Sequence, residues 1–261
     1  MNSSESRAAP APAVDCRDVV KRFYYYTHRT TTLREWFIRV ARRRPVDVRG
    51  AEFVLRGFRL RVDPGEAVAL IGPNGSGKST VLRLIAGIYK PTEGTIRVEG
   101  RLAAVMDLGV GFHPELTGTE NARVSGAILG MRPAELDRRF PEILAFAEIG
   151  DFLDTPVKYY SSGMRARLAF AVSLGVRPDV LLLDEVLAVG DESFRGRCLE
   201  RLRAHRREGG TLILTSHDLG AVTELCDRAV WLEGGEIRAV GPASAVTEAY
   251  REAAARTGAG A

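Results

Sequence analysis

At 261 residues, 45% of them hydrophobic, the chain is long enough to bury a sizeable core as one domain with a subdomain. It holds no run of 18 apolar residues, which excludes a bilayer-spanning helix, and its start lacks the charged-then-apolar order of a secretory signal. Residues 1–50 carry 11 Lys/Arg against 5 Asp/Glu, a local +6, so the rest of a chain of net charge +4 carries −2; that excludes a general attraction to nucleic acid and confines any pull toward anionic lipid to the N-terminal segment.

Residues 1–14, rich in Ser, Ala and Pro, read as a disordered tail. "VDCRDVV" reads as a first strand, and residues 24–50 as an insertion. "EFVLRGFRLRV" alternates as a strand should, and "EAVALI" is a short apolar strand after the Pro64-Gly65 turn. A glycine loop follows over Gly72–Thr80, and "KSTVLRLIAGI" has helical spacing. "TIRVEG" and "LAAVMDL" read as strands, and residues 118–176 as mostly helical, with Pro133 as a start signal. "DVLLLDE" is the continuous apolar run of a buried parallel strand. Then come a helix over 192–208, strand "TLILTSH", helix "LGAVTELC", strand "RAVWLE" and a closing helix over 243–255. This alternation predicts a doubly wound α/β core, with the helical block as a subdomain. Cys16, Cys198 and Cys226 are odd in number and form no CxxC pair, which argues against disulfides or zinc.

"GPNGSGKST" fits G-x-x-x-x-G-K-[ST] through Gly72, Gly77, Lys78 and Ser79, between a predicted strand and a predicted helix. In the loop Gly72-Pro73-Asn74-Gly75-Ser76-Gly77 the glycines let the backbone N–H groups close round phosphate oxygens, all but Pro73 carrying one, and the helix end that Lys78, Ser79 and Thr80 open adds partial positive charge. Lys78 is expected to reach the β- and γ-phosphates and Ser79 to hold Mg²⁺. A carboxylate at the end of an apolar strand needs compensation, so Asp184 is the metal-side acid and Glu185 is placed to polarise a water. Ser161, Ser162 and Gly163 in "YYSSGM" form a small-residue turn opening a helix, a second anion site. One chain already has one phosphate loop, so this second site serves a nucleotide on another copy; the plainer alternative is an ordinary helix cap.

In this arrangement the chain resembles the nucleotide-binding subunit of an ABC transporter, over residues 15–250 or so. "SSGM" takes the place of the family's signature, "AVGD" (Ala188–Asp191) resembles its D-loop, and His217 in "TSHD" resembles its switch histidine, which contacts the γ-phosphate. Phe23 falls where the family stacks an aromatic on adenine, with Tyr24, Tyr25 and Tyr26 as alternatives. The resemblance implies a P-loop NTPase fold of ABC ATPase type, with an antiparallel β element and a helical subdomain over about 110–176. The whole forms one domain over 15–255 before a tail over 256–261. It implies ATP and Mg²⁺ as cofactors, ATP hydrolysis with Glu185, His217 and Lys78 as catalytic residues, a homodimer, and a separate polytopic permease. It also implies a peripheral place on the cytoplasmic side of the membrane. One position departs: the chain has no glutamine, and the family's metal-reaching glutamine falls at Asp107 or Leu108. Asp107 can supply an oxygen to the metal shell or merely cap a turn.

"MDLGVGFHPELTGTEN", "YSSGMRARLAFA" and "LLLDEVLAVGDESFRGRC" are similar to ATPases that export O-antigen, teichoic acid and related lipid-linked glycans. That group carries an insertion, folded as a helix against the membrane subunit, where this chain has residues 24–50. On a helical wheel Leu33, Trp36, Phe37, Val40 and Ala41 share one face, while Arg34, Arg39, Arg42 and Arg43 lie elsewhere. Such a helix over 30–44 is expected at the membrane surface, the alternative being packing on its own domain. Some members append a glycan-binding domain, which is not expected after "RTGAGA". Two other readings stand beside polysaccharide export. One is a transporter of another substrate, such as a drug, a lipid or an imported solute. The other is a soluble ABC ATPase acting on ribosomes or DNA, which the single glycine-lysine loop disfavours; the arginine run lacks interleaved flexible basic residues and reads better as a helix face than as a nucleic-acid contact.

Overall fold

The computed structural model of the chain describes residues 11–26, 48–106, 112–185 and 192–258. Two sheets are present among them. In the first, β1 (Val14–Tyr26) lies between β2 (Val48–Val62) and β4 (Glu93–Val98), antiparallel to both. The second has the order β5-β6-β7-β3-β8-β9, built from β3 (Ala67–Ile71), β5 (Leu102–Val105), β6 (Val180–Asp184), β7 (Thr211–Thr215), β8 (Arg228–Glu233) and β9 (Glu236–Pro242). Its ladders are parallel except β8–β9. The helices are α1 (Lys78–Ile85), α2 (Gly118–Ile128), α3 (Pro133–Ala147), α4 (Ser162–Gly175), α5 (Glu192–Arg207), α6 (Leu219–Leu225) and α7 (Ala243–Gly258).

The apolar runs become the central strands because both of their faces are covered. Val68, Leu70, Leu182 and Ile213 pack with residues of β1, β2 and α1; Ala69, Leu181, Leu183 and Leu214 pack with α5, α6 and α7. Glycine loop, acid pair and histidine therefore emerge at the carboxyl ends of adjacent parallel strands, where open α/β sheets bind ligands.

The helical block has a core of its own. Leu136, Phe140, Ile143 and Ala147 of α3 lie at helical spacing and meet Leu168, Ala171 and Val172 of α4 and Ala122 of α2. Pro133 opens α3, and Thr117 with Glu120 forms a capping box for α2. The carbonyl end of α4 is held from two sides. Arg139 donates to Gly175 O at 2.9 Å and Arg101, ahead of β5, to Val176 O at 3.2 Å. Glu135 lies between them, 3.1 Å from Arg101 and 3.3 Å from Arg139, and its hydrogen bond with Arg101 holds its carboxyl below the usual range. A Cβ on Gly175 would sit 2.4 Å from Ile143 Cγ1, so the helices touch closely there. Glu142–Arg201, at 3.0 Å, and Glu148–Arg197 tie α3 to α5 of the main body.

Three expected boundaries move and one strand is added. Ala13 and Val14 are buried and Val14 pairs with Val62 and Val98, so the tail expected over 1–14 ends sooner; residues 1–10 lie outside the described residues. The insertion expected over 24–50 loses both ends to strands: Tyr24 pairs with Ala51 and Tyr26 with Val48, the aromatic run over 23–26 continuing β1. The helix expected over 30–44 lies outside the described residues. Residues 256–258, expected in a tail, belong to α7, whose Ala-rich end carries the helix to Gly258; residues 259–261 lie outside the described residues. The strand β9 is one that the sequence pattern does not predict. It returns from β8 through Gly234 and Gly235, whose φ values of 58° and 82° suit a two-residue hairpin turn.

His205 of α5 is buried, with Nε2 3.3 Å from the Thr211 carbonyl, and burial pushes its ring below the ordinary histidine value. The unfolded chain therefore takes up this proton first. The associated stability is present above about pH 6.5 and is lost as pH falls through the lower folded value. Melting temperature is expected to drop between pH 7.5 and 5.5 by more in the parent than in His205→Leu. Equal drops would remove His205 from the account.

Candidate active site

The buried strand β3 delivers the chain into a loop that only glycines can make. Gly72 has φ 143°, and a Cβ there would lie 2.0 Å from the Leu232 carbonyl oxygen of β8. Gly77, at φ 104°, would put a Cβ 3.0 Å from Val54 O of β2. The loop is thus wedged between the two sheets. Gly77 also leaves the amide end of α1 with no side-chain cap, and Ser76 Oγ is buried without a hydrogen-bond partner. Unmet donors at a glycine loop fit a phosphate chain.

Lys78 is 5% exposed, and its Nζ donates to Gly72 O at 2.9 Å and Pro73 O at 3.0 Å. Burial pushes its ammonium below the ordinary lysine value, while the charges of Glu185 and Asp184 oppose that. Ser79 Oγ donates to Asp184 Oδ1 at 3.0 Å, and Thr215 Oγ1 donates to the same oxygen at 2.7 Å. Glu185 follows with φ 54°, a left-handed backbone, and its N–H reaches Thr215 Oγ1 at 3.0 Å. Glu185 Oε1 lies 2.9 Å from His217 Nε2. Next to the histidine, Asp218 caps α6 by accepting from Gly220 N and Ala221 N; its bond to Ala221 N leads in holding its carboxyl low. A cleft of about 290 Å³ is lined by Asn74, Gly75, Gly77, Lys78, Ser79, Thr80 and Glu185, with Val54 closing one side.

The structure therefore brings Lys78, Ser79, Asp184, Glu185 and His217 together. Ser161, Ser162 and Gly163 are not in the cleft lining; Ser161 Oγ accepts from Met164 N at 3.1 Å and caps α4. Phe23 is not in the lining either. Its ring meets Tyr89 edge-on at 5.4 Å, with Lys21 Nζ 4.9 Å above it. Asp107, Leu108 and Ala188–Asp191 lie outside the described residues. Sequence reasoning missed Thr215 and Val54. For Thr215 a signal existed: a hydroxyl in the aliphatic run "LILT" must find a partner once buried.

Comparison with known proteins places this geometry. The ABC transporter family matches residues 55–188, over half of the chain. An O-antigen export system ATP-binding protein of Myxococcus xanthus is 48% identical over 245 residues, covering 92% of this chain and 56% of that protein, so the chain spans little more than half of that relative. A protein of the same description from Klebsiella pneumoniae is 41% identical over 245 residues, covering 94% of this chain and 99% of the other. A solved ATP-binding subunit of an ABC transporter superposes with a TM-score of 0.73 at 24% identity, over 91% of this chain and 93% of that one; this is a likeness of fold. Given the family match and a relative aligned nearly end to end, the chain belongs to the ABC transporter family, as an ATP-binding ATPase.

Proposed function

We propose that the chain is the ATP-hydrolysing subunit of an exporter of a lipid-linked polysaccharide, working as two copies beneath a separate polytopic permease on the cytoplasmic side of the membrane. The observation that carries this is the nearly end-to-end match, at 41% identity, to a protein named for O-antigen export. In this reading Lys78 leaves the loop carbonyls for phosphate oxygens, and the loop from Gly72 to Thr80 holds the rest of the triphosphate through its N–H groups, of which Pro73 has none. Phe23 stacks on adenine. Glu185 accepts the proton of the attacking water, and His217 holds both Glu185 and the γ-phosphate. Ser161, Ser162 and Gly163 of the second copy cover the nucleotide with the amide end of α4.

Ser79 and Asp184 are the metal-binding residues in this proposal, with Asp107 as a third oxygen donor. Among the described residues no group of three or more His, Cys, Asp or Glu can hold a metal, and a hydroxyl plus one carboxylate suits an ion that takes its other ligands from phosphates and water. Mg²⁺, when bound, neutralises charge on the β- and γ-phosphates. Residues 30–44 lie against the membrane surface and the permease. No nucleic acid takes part.

The test is export in cells lacking this gene. The parent chain is expected to restore surface polysaccharide, and Lys78→Ala to fail, having lost a charge-assisted contact of roughly 1.5–3 kcal/mol to ATP. A Trp36→Ser, Phe37→Ser double variant is expected to keep its isolated ATPase rate and lose export. Unchanged surface polysaccharide in the deleted cells would move the reading to a transporter of another substrate.

A further inference from the structure

We propose that Thr215 is a positioning residue for hydrolysis, whose one hydroxyl sets both the metal-side carboxylate and the base. The inference rests on the roles proposed above for Asp184 and Glu185. Thr215 ends β7, directly opposite Asp184 in the parallel register with β6, and is 1% exposed. Packing alone asks for an aliphatic residue there, like its neighbours Leu212, Ile213 and Leu214, which are fully buried. The hydroxyl is used twice instead. Its hydrogen goes to Asp184 Oδ1 at 2.7 Å, and its lone pair accepts the Glu185 N–H at 3.0 Å. One donor and one acceptor function are thereby both satisfied.

The second bond bears on the base. Glu185 is one of four described non-glycine residues with positive φ, and its backbone is held at φ 54°. A left-handed residue persists only where its surroundings over-determine it, and strain of this kind gathers at functional sites. The surroundings here are Thr215: the Glu185 N–H also approaches the Thr215 carbonyl, at 3.3 Å. Loss of the hydroxyl leaves that N–H only the longer contact to the carbonyl, which lets the peptide relax and shifts the carboxylate relative to His217. The first bond bears on the metal side, since Ser79 Oγ and Thr215 Oγ1 converge on one oxygen of Asp184. A single hydrogen-bonded chain thus runs from the glycine-loop helix to the base.

The experiment compares Thr215→Val, Thr215→Ala and Thr215→Ser with the parent and with Glu185→Gln in the full chain. It measures kcat, KM for ATP with magnesium, binding of a fluorescent non-hydrolysable ATP analogue, and melting temperature. Both hydroxyl-free variants are expected to lose about 10- to 100-fold in kcat, the scale of an ångström-sized misplacement, with analogue binding within about twofold of the parent. Thr215→Ser is expected to recover most of the loss. Parental kcat in either hydroxyl-free variant overturns the inference. So does a serine variant as slow as valine, which would assign the effect to the methyl group, or a rate loss matched by lost binding or lost fold. If Glu185→Gln keeps the parental rate, the assignment of the base itself fails. If Glu185→Gln is inactive and Thr215→Val is not, that assignment stands and only the role of Thr215 falls.

Discussion

Glu185→Gln binds ATP and stops turning it over: this is the largest expected effect of any single change. The amide keeps the shape of the carboxylate and its 2.9 Å approach to His217 Nε2, and the Glu185 N–H keeps its bonds to Thr215. What goes is the group that accepts a proton from water, and removing a general base typically costs 10²- to 10⁴-fold. Lys78, Ser79 and the loop are untouched, so nucleotide affinity is expected to hold. With hydrolysis blocked, ATP-bound dimers are expected to accumulate and to be seen by size-exclusion chromatography. A single-turnover rate within about tenfold of the parent would place the base elsewhere.

Gly72→Ala is expected to be the most damaging change to the scaffold. The new methyl would stand 2.0 Å from Leu232 O and 3.1 Å from Ser76 Oγ, at φ 143°, where L-residues are strained. Strain of that kind costs about 1–3 kcal/mol. Forcing the β8 backbone aside costs about as much again. Against a total stability of about 5–15 kcal/mol this is a large fraction. For a chain of this size it corresponds to a melting temperature lower by about 5–20 °C. The same displacement opens the loop, so binding of the ATP analogue is expected to fail with it. Parental melting and affinity would mean that the β8 carbonyl yields without cost.

These two residues were legible in the sequence because each sits in a short contiguous run whose composition has one chemical use. "GPNGSGKST" and "LLLDE" carry their meaning within a few positions, and the strands around them are apolar enough to be read as buried. For Thr215 the need of a partner is legible in "LILT" but the partner is not, since Asp184 is 31 residues away and the two meet only when β6 and β7 lie in register. Phe23 shows the opposite limit. The resemblance assigns an adenine-stacking aromatic to Phe23, yet a resemblance in sequence says nothing of the Tyr89 ring against which it packs. Element ends slipped where composition misleads: an Ala- and Pro-rich start hid the buried Val14, and "RTGAGA" hid a last turn of helix. The missed strand β9 had its Gly-Gly turn in plain view, but "EIRAVGP" is short, holds a glycine and ends in proline.

The clasp at the carbonyl end of α4 has a mechanical meaning. Arg101 and Arg139 grip Gly175 and Val176, Ile143 presses on Gly175, and the other end of the same 14-residue helix carries Ser161–Gly163. Packed along its length on α3 and clasped at its end, α4 is one rod with its subdomain. At 1.5 Å per residue it is about 21 Å long, so a tilt of the subdomain by about 10° about the clasped end carries the Ser162 end through about 4 Å. A tilt of that size is large enough, at Ser162, to make or break a hydrogen bond.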